Sequence, residues 1–366
     1  MTPECSLKVS SPADLLAAVP YLIGFHPADS LVVLAFRGRT VVFAARQDLP
    51  PADLSAEHLR EIATYFAEVV LRQDMDGVLL VGYGQADQVT PAVVRLAQAL
   101  REAEVPVADE LRVTDGRFWS YRCTGGKCCP PEGWPYRPEE TVTAATATLA
   151  GQVALPDRAA LVALLEPATG DERAAMVEAT GRACRRIAEL LARETHDEGR
   201  AKHVRRAGRA AVRDAERRYR SGRRLDDDEM AWLGLLLLDI QVRDYAWGRS
   251  GLEEWCVALW TDVVRRVEPD YVPAPACLLG FAAWRQGQGA LAYAAVDRAV
   301  AADREYVMAG LLAQVLGLGL SPAAVLGWPP GDRLDLGDIA PFAEPPPRRP
   351  ATVPRPRSTR LRSRKR

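Results

Sequence analysis

The sequence lacks the features of a membrane or secreted protein. No apolar run reaches the length of about 20 residues that a membrane span needs, and the run Leu233–Leu238, for example, ends at Asp239. The first residues, Met1–Cys5, show no basic stretch followed by an apolar segment, so we expect no secretory signal. Hydrophobic residues are 48% and charged residues 26% of the 366 residues, which excludes wholesale disorder. We therefore expect a globular, cytoplasmic protein of two ordinary domains.

Cysteine is scarce and unevenly placed. The chain has seven cysteines, an odd number, and a disulfide framework is not expected in a reducing cytosol. Cys184, Cys256 and Cys277 lie in apolar helical patterns and are predicted to be small core residues, whereas Cys5 stands alone. The others form one cluster: Cys123, Cys128 and Cys129.

This cysteine cluster directly follows a predicted strand. Zinc sites usually have four ligands in two close pairs, but adjacent Cys128 and Cys129 cannot easily bind one ion together with Cys123, and no second pair follows. Lys127 and Arg122 would lower the pKa of a nearby thiol. We expect a structural loop, and we keep metal binding and a reactive thiol as alternatives.

Charge is distributed unevenly along the chain, although the net charge is only −1. Residues 345–366 hold eight arginines, one lysine and no acidic residue. The remaining residues carry 38 basic side chains against 48 acidic ones. An acidic body is therefore followed by a tail with a charge of +9.

Strand patterns in the first 140 residues predict a mixed β-sheet. Ser30–Phe36 and Thr40–Arg46 are apolar runs of strand length on either side of a short turn, which predicts a hairpin. Gly77–Tyr83 predicts another buried strand. Asp115 and Gly116 form a strong two-residue turn between two further strands.

Helical patterns alternate with these strands. Residues 12–27 contain a predicted short helix capped by Ser11, and Ser55–Arg72 has helical spacing. A third helix is predicted to begin at Thr90-Pro91, with Thr90 as its cap. The order β-β-α-β-α-β-β predicts an α/β domain over residues 1–140, a mixed sheet with flanking helices.

From residue 141 to residue 329 the pattern predicts an all-α domain. Its predicted helices cover residues 141–152, 156–166, 171–196, 200–220, 227–245, 251–267, 274–286, 289–302 and 304–318. Residues 330–366 combine prolines with arginines, cannot bury a core and are predicted to be a disordered basic tail.

The last helices carry a weak repeat signal. Leu279-Gly280 is followed by Gly287, Ala292 and Ala299 at the spacing of a tetratricopeptide unit, whose small residues let two antiparallel helices approach. Ala276, however, stands where that template has tryptophan. We predict tetratricopeptide-like packing, with an ordinary helical bundle as the alternative.

The opening stretch, residues 11–30 (SPADLLAAVPYLIGFHPADS), resembles the start of the actinobacterial domain of unknown function 4192 family. Three further stretches are similar to the family: residues 46–50 (RQDLP), 119–123 (WSYRC) with Cys128-Cys129-Pro130, and 279–287 (LGFAAWRQG). The resemblance spans residues 7–328. It implies an intracellular protein, and it supplies no known activity and no catalytic residue.

One loop of the α/β domain brings chemically useful side chains together. His26, Asp29 and Ser30 fall within five residues, although the members of a catalytic triad are normally distant in sequence. A histidine before a proline is more often an ordinary loop residue. If an active site exists, we expect this loop to face Arg46, Asp48 and the segment 121–129 with Cys123, because all of these positions fall at strand ends or loops.

Two further motifs invite functional interpretations. Residues 81–85 (VGYGQ) follow a strand as phosphate loops do, but they lack the third glycine of a dinucleotide fingerprint and the Lys-Ser/Thr pair of a P-loop. Residues 200–224 carry eleven basic side chains, but no aromatic platform or recognised binding motif accompanies them in the sequence. We interpret the glycines as turn residues and the basic segment as a solvated helix face.

These observations indicate an interaction or regulatory module with a protein partner, because no complete catalytic set is present. An enzyme or a small-ligand-binding protein is the first alternative, with its pocket near His26, Asp29, Arg46, Asp48 and Cys123. Nonspecific nucleic-acid binding through residues 348–366 and 200–224 is the second alternative. No cofactor is expected.

Overall fold

The computed structural model describes residues 11–51, 54–123 and 129–322. Within them one six-stranded sheet has the order β2-β1-β3-β4-β5-β6, in which β3 and β4 are parallel and all other neighbours are antiparallel. The strands are β1 (Ser30–Arg37), β2 (Thr40–Asp48), β3 (Gly77–Tyr83), β4 (Val107–Thr114), β5 (Arg117–Ser120) and β6 (Trp134–Pro135). The predicted mixed α/β fold with many helices is confirmed, and the short β6 was not predicted.

Three helices flank this sheet: α1 (Pro12–Ile23), α2 (Ala56–Leu71) and α3 (Ala86–Glu102). Residues on one face of β1 and β3, such as Val33 and Leu80, pack with Phe66 of α2 and Leu96 of α3. The other face belongs to a second core that includes α1. Successive strand residues point to opposite faces, so both faces of the central strands are buried.

Local signals predicted the cap of α1 and the turn between β4 and β5 correctly. The Ser11 hydroxyl accepts a hydrogen bond from the backbone N–H of Asp14, which caps α1. Asp115 and Gly116 both have positive φ, 48° and 70°, and this is the conformation that a tight two-residue hairpin requires.

The predicted start of α3 was wrong. The helix begins at Ala86, one turn before Thr90, and Pro91 lies inside it. Gly84 has a φ of 138° and Gln85 is extended, so the chain leaves β3 and enters the helix within two residues. The Thr-Pro pair resembles a helix start because proline is tolerated in the first turns, where few N–H groups have helical partners.

Ten further helices follow among the described residues. They are α4 (Val142–Leu149), α5 (Arg158–Ala163), α6 (Gly170–Ala192), α7 (Asp197–Arg220), α8 (Asp227–Leu236), α9 (Ile240–Trp247), α10 (Glu254–Arg266), α11 (Pro273–Arg285), α12 (Gly289–Ala302) and α13 (Val307–Gly317). The single helix predicted over residues 227–245 is two, α8 and α9. The first ends at Leu236, and Asp239 caps the second by accepting bonds from the N–H groups of Gln241 and Val242.

Helices α11 and α12 approach closely at a small residue. A β-carbon added to Gly280 would lie 3.1 Å from a methyl group of Val296 and 3.4 Å from the carbonyl of Ala292. The predicted role of Gly280 in close helix contact is thus visible. Tetratricopeptide-like packing of the whole region stays a prediction.

The sheet and the helices share buried surface. Val32 and Tyr83 belong to the same apolar cluster as Met176 of α6 and Leu233 of α8. The hydroxyl of Tyr65 in α2 also donates to the carbonyl of Gly317 at the end of α13. The domain boundary near residue 140 remains a prediction, and the predicted disordered tail of residues 330–366 lies outside the described residues.

Candidate functional site

Three neighbouring strands bring polar residues together at one end of the sheet. Ser30 opens β1 and lies directly between Asp48, the last residue of β2, and Tyr83, the last residue of β3. Because paired residues point to the same face, the side chains of Ser30, Asp48 and Tyr83 share one face. Arg46 lies two residues before Asp48 and therefore shares that face.

The loop before β1 is held against this end of the sheet by backbone bonds. The N–H of His26 donates to the carbonyl of Leu155 at 2.9 Å, and the N–H of Leu49 donates to the carbonyl of Asp29 at 2.9 Å. The second bond places the loop beside the end of β2, which carries Arg46 and Asp48.

Arg46 is the cation of this region. Its side chain is only 14% exposed, and one terminal nitrogen lies 2.5 Å from Oδ1 of Asp48, which is itself well exposed. The guanidinium carbon lies 5.8 Å from the centre of the Phe25 ring, and the other terminal nitrogen makes a long bond of 3.4 Å to the carbonyl of Ala28. In the described part of the chain, the exposed carboxylate of Asp48 is therefore the ion-pair partner of a largely buried charge.

Three polar atoms on this face are buried and have no hydrogen-bond partner among the residues that the structure describes: Oγ of Ser30, Nε of Arg46 and the hydroxyl of Tyr83. Ser30 is 0% and Tyr83 7% exposed. Buried polar groups in native proteins are nearly always paired, and exceptions mark sites of water, ions or function. We call Ser30, Arg46 and Tyr83 the sheet-end site.

Every polar atom of the sheet-end site can donate a hydrogen. Arginine is protonated at all ordinary pH values, so Nε carries a hydrogen. Burial, together with the nearby Tyr136, raises the pKa of Tyr83 well above its ordinary value of 10, so its phenol stays protonated. The serine hydroxyl can also donate. Nε of Arg46 therefore requires an acceptor atom, and the two hydroxyls can donate to acceptor oxygens of the same group.

The other predicted residues form an exposed rim. His26, Asp29 and Asp48 are exposed to solvent. Asp29 has a φ of 42°, a region that residues other than glycine rarely occupy. Its carboxylate borders the loop after β3, since a β-carbon on Gly84 would lie 3.4 Å from Oδ1 of Asp29.

Cys123 does not join this group. Arg122, which precedes it, donates to the carbonyl of Val107 at the first residue of β4, whereas Tyr83 pairs with Val113 near the opposite end of that strand. Val107 and Val113 are six residues apart in this extended strand, so they lie about 20 Å from each other. The antiparallel return of β5 carries Cys123 away from the loop, and this connection was not evident from the sequence.

The cysteine cluster is only partly described. Cys123 and Cys129 are half-buried, and Cys5 and Cys128 lie outside the described residues. In the described part of the chain, no three histidine, cysteine or acidic side chains come together in a way that could hold a metal ion. Cys184 was predicted to be a core residue but is exposed, because the buried face of α6 runs through Met176, Ala179 and Ala183 instead.

The glycines after β3 have structural roles. A β-carbon on Gly82 would overlap Cγ1 of Val89, so α3 can pack on β3 only with glycine there. Gly84 adopts a φ of 138°, which favours glycine at the exit of the strand. Both observations agree with our interpretation of this loop as a turn.

A family model describes nearly the whole of this fold, since it matches residues 12–323. The chain belongs to the DUF4192 family, a domain of unknown function. The resemblance seen in the opening stretch is thereby confirmed. Comparisons with curated proteins and with solved structures find no match. Among the described residues of this DUF4192 protein, no helix combines the length and apolar character needed to cross a bilayer.

Half of the eight arginines of the basic helix α7 are engaged in ion pairs within the described part of the protein. Four of its arginines form ion pairs with acidic side chains: Arg200 with Asp197, Arg205 with Asp239, Arg217 with Asp214 and Arg218 with Glu229. Glu229 also completes a capping box with Asp226 at the start of α8. Glu229, in the acidic segment that follows α7, thus neutralises one of its arginines.

Sequence reasoning missed Tyr83. It ends an apolar strand and was assigned only to a glycine-containing turn. A phenol at the end of a buried strand was the available signal, because tyrosine usually keeps its hydroxyl paired or exposed.

Proposed function

We propose that this DUF4192 protein is a small-ligand-binding module and that the sheet-end site holds a carboxylate or phosphate group of its ligand. The supporting observation is that Ser30, Arg46 and Tyr83 each bury a polar atom without a partner on one face of the sheet. Leaving such an atom unpaired costs about 1–3 kcal/mol, so their retention at one place favours a functional role.

The charges of the site favour an oxyanion. Arg46 supplies a cation whose one counterion, Asp48, lies at the exposed rim. A guanidinium binds carboxylate and phosphate oxygens through parallel, charge-assisted bonds. The hydroxyls of Ser30 and Tyr83 can donate further bonds, and the site adjoins the carboxyl ends of β3 and β4, where open α/β sheets commonly bind ligands.

The test measures ligand-induced stabilisation of the full chain with inorganic phosphate and succinate as probes. A probe at 100 times its dissociation constant stabilises the native state by about 2.7 kcal/mol. We expect a concentration-dependent rise in Tm for the wild type that Arg46→Gln and Ser30→Ala abolish.

The matched control is Arg37→Gln. Arg37 closes β1 at the opposite end of the sheet, where it bonds to the carbonyl of Asp74, and this variant should keep the full ligand response. If Arg46→Gln and wild type respond equally to both probes, the sheet-end site is not their binding site and the proposal fails.

Protein interaction is the second candidate, and the surface of α4 favours it. Val142 and Leu149 lie seven residues apart on one side of this helix and are 78% and 89% exposed, and Val153 beyond its end is 76% exposed. Contiguous exposed apolar side chains are typical of interaction surfaces. We propose that they receive an apolar face of a protein partner.

A photo-crosslinking amino acid at position 149 tests this second candidate in the native host. We expect one discrete adduct from position 149 that is lost on Val142→Lys, and none from position 189 of α6, where Glu189 is also exposed. The same adducts from both positions, or an adduct insensitive to Val142→Lys, would contradict it.

A further inference from the structure

One side of α7 carries arginines without a carboxylate partner in the described part of the chain. Arg209, Arg213 and Arg220 are exposed, and they follow one another at intervals of four and seven residues. Such intervals place side chains on one side of a helix. At 1.5 Å per residue this row is about 16 Å long.

Aromatic side chains from other helices lie along this row. The guanidinium of Arg209 lies 5.5 Å from the ring centre of Tyr245 in α9, and that of Arg220 lies 4.8 Å from the ring centre of Trp255 in α10. Arg213 bonds to the hydroxyl of Tyr245 at 3.4 Å. The sequence separates these aromatics from α7 by whole helices, so their proximity is a product of the fold.

A fourth arginine completes the surface. Arg249 lies 5.3 Å from the ring centre of Tyr245 and binds both carboxylate oxygens of the buried Glu216, at 2.7 and 2.6 Å. Glu216 is thus occupied by Arg249 and is not available to Arg209, Arg213 or Arg220. We call Arg209, Arg213, Arg220, Tyr245, Arg249 and Trp255 the arginine–aromatic strip.

We infer that the arginine–aromatic strip binds single-stranded nucleic acid. Its planar guanidinium groups present forked donors that suit phosphate oxygens, and a row of about 16 Å spans several nucleotides of an extended strand. Unpaired bases stack on aromatic rings and on guanidinium planes. Among the described residues, ion pairs engage four of the eight arginines of α7, and Arg209, Arg213 and Arg220 are not among those four.

Single strands are favoured over acidic polypeptides because aromatic rings lie beside the guanidinium groups of the strip. A carboxylate-rich peptide needs only cations, whereas the strip holds its guanidinium groups against Tyr245 and Trp255 at defined positions. Base stacking uses these surfaces, and a glutamate side chain has no aromatic face to offer.

The experiment measures binding of fluorescent single-stranded U12 to the full chain by anisotropy over a range of salt concentrations. In a plot of the logarithm of the association constant against the logarithm of the salt concentration, each phosphate contact adds about −0.7 to the slope. Three contacts of the strip should therefore add about −2. The R209Q/R213Q/R220Q variant should lose this contribution and bind about 100-fold more weakly at 0.1 M salt.

Two control variants test whether weaker U12 binding comes from the arginine–aromatic strip itself or from the loss of positive charge in general. R355Q/R357Q/R360Q removes the same charge from the basic tail and should retain the contribution of the strip. R209K/R213K/R220K keeps the charge but loses the planar fork, so it should keep the slope and bind U12 more weakly. Equal Tm values for the variants show that their folds are intact.

Several results would overturn the inference. They are absence of U12 binding at low salt, equal weakening by the tail variant and the strip variant, and equal affinity for poly-glutamate and U12. Binding to a 12-base-pair duplex as tight as to U12 would likewise reject recognition of single strands.

Discussion

Tyr83→Phe removes only the hydroxyl that the structure leaves unpaired. The ring stays in place, so its packing among the buried residues around β3 is kept. A buried hydroxyl without a partner costs about 1–3 kcal/mol. Removing the oxygen leaves a small cavity, and at about 24 cal/mol per Å³ this cavity lowers the gain in stability by a few tenths of a kcal/mol. We expect Tyr83→Phe to raise the free energy of unfolding by about 1 kcal/mol.

Tyr65→Phe makes the same chemical change at a paired hydroxyl. The Tyr65 hydroxyl donates to the carbonyl of Gly317 at 2.8 Å, and losing a bond of this kind costs about 0.5–1.5 kcal/mol. The two substitutions should therefore shift stability in opposite directions and differ by about 2 kcal/mol.

Urea unfolding followed by circular dichroism measures both variants. With an m value of about 3 kcal/mol/M, a gain of 1 kcal/mol raises the midpoint by about 0.3 M. Hydrogen exchange of the β3 amides locates the effect. If Tyr83→Phe lowers the midpoint as much as Tyr65→Phe does, the Tyr83 hydroxyl is paired in solution and the reasoning behind the sheet-end site is refuted.

Three other predictions concern pH, thiol reactivity and packing. Because the pKa of Tyr83 is raised in the folded state, the unfolded phenol ionises first, so stability is lost as pH rises above 10 and Tyr83→Phe should show a shallower decline there; identical pH profiles would contradict this. Burial raises the pKa of Cys277 to about 12, so a thiol reagent at pH 8 should label the exposed Cys184 in the native protein and spare Cys277, as mass spectrometry of the labelled peptides can show. Gly82→Ala should lower the free energy of unfolding by about 1–3 kcal/mol, because the new methyl overlaps Val89; an unchanged urea midpoint would mean that α3 can shift at little cost.

Part of the candidate site was predictable from the sequence. His26, Asp29, Ser30, Arg46 and Asp48 were grouped because they stand at strand ends or loops, and the register of the β1–β2 hairpin places Ser30, Arg46 and Asp48 on one face. A hairpin joins neighbours in the chain, so its pairing follows from local patterns.

The rest of the site depends on long-range pairing. Tyr83 is a neighbour of Ser30 because β3 pairs with β1, although β2 and α2 lie between them in the chain. Cys123 lies far from them because β5 runs antiparallel to β4. Neither the strand order nor the side on which a strand joins is encoded in its own residues.

The helices, too, had features that the sequence predicted correctly and features that it did not. The Ser11 cap and the Asp115–Gly116 turn were correct because both depend on bonds and dihedral angles within a few residues. Exposure of Cys184 was missed because a single helix can bury different faces, and its neighbours decide which face is covered.

The order of residues alone was sufficient for the element types, the family and the uneven distribution of charge, because periodicity, turn chemistry and composition are local properties. Only the packed chain selected which polar side chains meet: Tyr83 beside Ser30 and Arg46, and Tyr245 and Trp255 beside the arginines of α7. These contacts form because the chain buries apolar surface along its whole length. The free energy of folding is lowest for one arrangement of all the elements together.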